Sequence, residues 1–99
     1  MSLLDDVKTV CRIGTDKLDV EVEVLIAASI ADMKRVGIDE KLLDEENMAP
    51  LVKAAVFSFV KAHFGYDVDE RAQFDESYRS MVASLLNSDA NIASAEAGN

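Results

Sequence analysis

The sequence holds one cysteine, one proline, one histidine and four glycines. Cys11 stands alone, so neither an internal disulfide nor a thiolate metal cluster can form, and a reducing compartment fits. Bases are scarce too: 10 Lys and Arg face 19 Asp and Glu, a net charge of −9. Binding to a phosphate backbone draws on Lys and Arg, so nucleic-acid grip is not expected. No uncharged run approaches the ~20 residues that cross a bilayer. The opening Met1-Ser2-Leu3-Leu4-Asp5-Asp6 has neither a basic start nor a sustained apolar stretch, a pattern not expected of a secretory leader. What is present is apolar surface: 49% of the 99 residues are hydrophobic. That is against wholesale disorder, and one small domain with a modest core is expected.

The few Pro and Gly fall where helix punctuation belongs. A first helix is predicted over Leu3–Arg12, with Ser2 as its cap and Leu3, Val7, Val10 and Cys11 on one face. Gly14 breaks the pattern. A second helix is predicted over Leu18–Val36, with Asp16 or Asp19 near its start. Val20, Val22 and Val24 alternate with Glu21 and Glu23, which on its own marks a strand. The longer set Leu18, Val22, Leu25, Ile26, Ser29, Met33 and Val36 keeps helical spacing, and Gly37 can take the left-handed position that ends a helix. A second apolar row, Val20, Val24, Ala27 and Ala31, predicts neighbours on two sides of this helix.

An acidic connector follows over residues 38–49, with a short turn expected at Asp39–Leu43. Asn47 is expected to cap the next helix, with Pro50 in its first turn. That third helix, Ala49–Phe64, is apolar on nearly every side, with only Lys53 and Lys61 formally charged. Such a helix is expected at the centre of the bundle. A fourth helix is predicted from Asp69 or Glu70 to Asn87, with Phe74, Tyr78, Met81, Val82 and Leu85 as its stripe. The expected fold is all-α: a small bundle of about four helices over residues 1–88, with 89–99 as a flexible C-terminal tail in which Ile92 alone could anchor. The expected core residues are Leu25, Ile26, Met33, Val56, Phe57, Val60, Phe64, Phe74, Tyr78 and Leu85.

Catalytic motifs are missing. There is no G-x-S-x-G, P-loop, H-E-x-x-H or C-x-x-C. His63 could serve Cys11 as a base only if their helices met there, and a plain helix-borne imidazole is the simpler reading. Asp67-Val68-Asp69-Glu70-Arg71 opens like a calcium loop, yet Ala72 and Tyr78 replace the required Gly and Glu. Carboxylate pairs such as Asp5/Asp6 and Glu45/Glu46 show no convergence toward one cleft. Asp75-Glu76-Ser77 lacks the Asp-Ser dipeptide of a carrier protein. No cofactor or metal is expected, and no enzyme.

The negative charge is gathered in three places: residues 15–24 carry −3, residues 39–46 carry −4 and residues 67–76 carry −4. A solvated surface explains such clusters by default. A small acidic adaptor or regulatory binding module of a bacterial cell is one functional reading.

The order of elements supplies another. Leu4-Asp5-Asp6-Val7-Lys8 leads to Arg12-Ile13-Gly14. An acidic Asp16–Glu23 stretch then opens a long helix, and Leu51-Val52-Lys53-Ala54-Ala55-Val56 begins an apolar one ending Ala62-His63-Phe64-Gly65-Tyr66-Asp67. Glu70-Arg71-Ala72-Gln73-Phe74-Asp75-Glu76-Ser77-Tyr78 follows. This resembles the head–tail connector (adaptor, or head-completion) proteins of tailed bacteriophages over about residues 2–88, most specifically at Phe64–Tyr78. The resemblance implies an all-helical subunit that forms a ring of about a dozen copies. Its partners would be itself, the portal protein above and neck or tail-completion proteins below, with DNA passing through unbound and no membrane involved. Its location would be the host cytoplasm during assembly, then the virion. Under this reading Asp16, Asp19, Glu21, Glu23, Asp39, Glu40, Asp44, Glu45, Glu46, Asp67, Asp69 and Glu70 are candidate channel, rim or partner-contact acids. Some relatives carry a longer insertion between the second and third long helices, for which residues 38–49 leave little room.

Overall fold

A computed structural model describes residues 3–46, 48–64 and 68–87. Among these residues there are four α-helices and no strand: α1 (Leu3–Val10), α2 (Asp19–Arg35), α3 (Pro50–Phe64) and α4 (Val68–Leu86). A 3-10 turn, Glu40–Leu43, lies between α2 and α3. The chain is all-α, as the helical spacing predicts.

Two helices end in the same way. Gly37 has φ 113°, and the Gly37 and Ile38 amides donate to the carbonyls of Lys34 and Met33. This paired closure uses the carbonyls that a helix end leaves over. At the end of α1 the same closure is built on Arg12, with φ 58°, whose amide donates to Thr9 while that of Ile13 donates to Lys8. The sequence reading placed that break at Gly14. Arg12, two residues earlier, makes the left-handed turn, and Ile13 then packs against the core.

The helix α2 starts beside Asp16 and Asp19, as expected. Its cap is Leu18, without a side-chain bond. Asp16 and Asp19 instead hold Lys8 Nζ, at 2.6 and 2.8 Å. This clamp ties α1 to the entrance of α2, and it raises the Lys8 pKa while lowering that of Asp16. The 3-10 turn is capped by Asp39, whose carboxylate accepts from the Lys41 amide at 2.8 Å. Ser2, Asn47, Gly65 and the tail from Ser88, to which the sequence reading assigned a cap, a cap, a helix stop and flexibility, lie outside the described residues.

Pro50 occupies the first position of α3, where a missing amide hydrogen loses no helix bond. This helix packs against α1, α2 and α4, the central place expected for an apolar helix. Its two lysines serve neighbours. Lys53 Nζ reaches Asp6 of α1 at 3.5 Å, and Lys61 Nζ stands 5.0 Å from the Phe74 ring of α4. Arg71 Nε donates to the Ala62 carbonyl at 3.1 Å, satisfying the end of α3 from α4.

Ile26, Met33, Val56, Val60, Tyr78 and Leu85 are buried in the core, and Leu25, Phe57 and Phe64 are half-buried against it. Phe74 is half-buried beneath Lys61 and lies outside the core cluster. It continues the row of Tyr78, Val82 and Leu85 one turn toward the start of α4, where it lines the hollow beside Cys11.

Candidate assembly surface

α2 has two faces of unlike fate. Val22, Ile26, Ser29 and Met33 recur at helical spacing and are buried against the rest of the bundle. Ser29 is fully enclosed, and its hydroxyl is satisfied by donating to the Ile26 carbonyl at 2.7 Å. The small side chain leaves room for Tyr78 of α4. The Tyr78 hydroxyl donates to Asp32 Oδ2 at 2.8 Å and lies 3.4 Å from the Ser29 carbonyl. Arg35 holds the other carboxylate oxygen of Asp32 at 2.7 Å. Arg35 first and Tyr78 second keep the Asp32 carboxyl below the usual range. Burial and that same carboxylate push the Tyr78 phenol up.

The opposite face carries Val20, Val24, Ala27 and Ala31. Two neighbouring sides were expected for this helix. In the monomer this row has none: Val20 is 73% exposed and Val24 61%, and both alanines are exposed. Val20 and Val24 stand one turn apart, so with the two alanines they form one continuous apolar strip along the outside of α2. The row borders a groove formed by α1, α2 and the 3-10 turn. Leu3, Leu4, Ile26, Ile30 and Leu43 make its apolar bed, and Ala27, Ala31, Glu23, Lys34 and Glu45 stand along its edge.

The acidic clusters are used unequally. Asp16 and Asp19 are held by Lys8, and Glu40 pairs with Lys34 at 2.5 Å. Asp39 and Asp44 accept backbone amides at turns. Glu21, Glu23, Glu45 and Glu46 are exposed. Folding brings Glu23 and Glu45, from two different clusters, to the same groove. Asp69 and Glu70 sit apart in the exposed first turn of α4, and Asp67 lies outside the described residues.

Cys11 and His63 occupy different places. Cys11 lines a hollow with Lys61, Phe64, Glu70 and Phe74, where burial raises its thiol pKa. His63 is exposed, bonds the Phe59 carbonyl through Nδ1 at 2.8 Å and stacks on the Phe59 ring at 4.2 Å. Among the described residues no three of His, Cys, Asp and Glu converge to hold a metal ion. No described helix is long and apolar enough to cross a membrane. The bridge between Asp32 and Tyr78 could not be read in the sequence, because 46 residues separate its partners. The groove had one visible trace, the row Val20, Val24, Ala27 and Ala31.

No curated protein and no solved structure gives a significant match to the chain. The sequence profile described as phage connector protein matches residues 3–91, almost its whole length. An all-α bundle with an open apolar helix face and that match over residues 3–91 together make the chain a member of the phage connector protein family.

Proposed function

We propose that the chain is a structural subunit of the head–tail junction and catalyses no reaction. About a dozen copies close into a ring beneath the portal, by contacts between unlike faces of neighbouring subunits. The ring prolongs the DNA channel and offers a surface to the neck or tail proteins that arrive later. Subunits assemble in the host cytoplasm and stay in the virion. The surplus acids suit such a channel, since a wall of like charge repels phosphates and lets a duplex slide.

One observation carries this reading: the outer face of α2, where Val20 and Val24 stand in water although the helix has already buried its other side. A free monomer gains nothing from that row, whereas a subunit covered by a neighbour does. The test is Val20→Asp combined with Val24→Asp, compared with the unaltered chain in the presence of portal protein. Sedimentation and negative-stain imaging report the assembly, and urea unfolding reports the fold. Exposed positions tolerate the change within about 0.5 kcal/mol of stability, while ring formation is expected to fail. Rings formed equally well by the double variant would overturn the proposal.

A further inference from the structure

The groove beside α2 has a chemistry that selects its occupant. Its bed is aliphatic: Leu3 and Leu4 from α1, Ile26 and Ile30 from α2, and Leu43 from the 3-10 turn. Along its α2 edge Ala27 and Ala31 are small and exposed, so a partner's backbone can approach closely. The α2 residues that line the groove, Glu23, Ala27, Ile30 and Lys34, recur at i, i+4, i+7 and i+11, the four-three spacing with which one helix seats another, and Val20 and Val24 lie outside it. The charge on the rim is one-sided. Lys34 is already engaged by Glu40, whereas Glu23 and Glu45 are exposed and enter no ion pair among the described residues. An aliphatic bed with helical spacing and an anionic rim fits an apolar helix flanked by cations.

The chain itself offers poor cover. Residues 88–99 include Asp89 and Glu96 and no Lys or Arg, and Ile92 is their only large apolar residue. A second copy, with a net charge of −9, suits this acidic rim less well than a cationic partner, and the ring contact proposed above uses Val20 and Val24, outside the groove. We infer that the groove between α1, α2 and the 3-10 turn receives a basic amphipathic helix belonging to a protein other than this chain. The inference deepens the proposed connector role by giving the chemistry of one partner contact.

The test uses the full chain and two synthetic helices of about three heptads, with identical Leu and Ala seams. One carries Lys at its flanking positions and the other Glu. Binding is followed by fluorescence anisotropy, and the site by amide chemical shifts. Because any cationic peptide is drawn to an acidic protein, two variants separate the groove from the general field. Glu23→Lys and Glu76→Lys each change the net charge from −9 to −7, but only the first alters the groove rim. Rim ion pairs are individually modest, so Glu23→Lys is expected to weaken the Lys peptide about threefold to tenfold. Glu76→Lys should change it by less than about twofold. Shifts should cluster at Ile30, Ala31 and Leu43. Equal losses in the two variants, equal affinity for the two peptides, or shifts elsewhere would overturn the inference. So would concentration-dependent shifts at the same residues in the chain alone, because a second copy would then be the occupant. Ring formation is measured separately, so failure here leaves the test of the connector role intact.

Discussion

Replacing Tyr78 with Phe isolates one bond between α4 and α2. The ring keeps its edge contact with Phe59, whose centroid lies 5.0 Å away, so packing is preserved and only the hydroxyl is lost. That hydroxyl donates to Asp32 Oδ2 at 2.8 Å from a residue only 5% exposed. Hydrogen bonds to charged groups contribute about 1.5–3 kcal/mol. Here the acceptor side chain is 32% exposed and also holds Arg35, so water and the guanidinium recover part of the loss. A cost of about 1–1.5 kcal/mol at pH 7 follows. With a urea slope near 1 kcal/mol/M for a domain this small, the midpoint should fall by about 1 M. The cost should also depend on pH. The Asp32 carboxyl is depressed in the fold, by Arg35 first and Tyr78 second. Such a group stabilises the fold above its unfolded value, about 3.9, and the contribution is lost as pH falls through the lower folded value. The gap between Tyr78→Phe and the parent therefore narrows as pH drops from 7 toward 3. A double-mutant cycle with Asp32→Ala, followed by circular dichroism in urea, measures the coupling directly. Single changes that add to within about 0.3 kcal/mol would refute the reasoning.

Two further substitutions probe the fold. Met33→Ala empties a fully buried site and should cost about 2–5 kcal/mol in urea unfolding, whereas Met33→Leu should stay below about 1.5 kcal/mol. Gly37→Ala meets nothing closer than Leu86 Cδ2 at 3.6 Å, so space is not the obstacle; the backbone at φ 113° is. A loss of about 1–2 kcal/mol is expected, read as a fall of roughly 5–15 °C in Tm.

The helices were legible where one face is buried and the other wet. For α2 the alternation of Val20, Val22 and Val24 competed with the longer helical row, and the helix won. Only Val22 of the three is enclosed. The outer row is visible in the sequence and predicts a second neighbour for α2, without saying whether that neighbour lies in the same chain. Periodicity reports that a face is apolar, not which molecule covers it. Charge was less legible still. Asp16 and Asp19 stand where caps stand, yet Lys8, from the preceding helix, takes both carboxylates. Arg12 has a positive φ that no residue-type rule for glycine would assign to it. The meeting of Glu23 and Glu45 at one groove depends on how the 3-10 turn folds back on α2, which residue spacing does not encode.

The pairings around α3 bear on how fast the subunit forms. Close approaches in this bundle fall mainly between residues near in sequence, and α3 meets most of its neighbours in α4, the helix that follows it. Topologies built from such local pairs close short loops first and fold in about microseconds to milliseconds. Translation, at roughly 5–20 residues per second, is far slower. Folding is therefore finished soon after the last helix is made. The open α2 face is formed by that same rapid folding, so it belongs to the subunit from the outset.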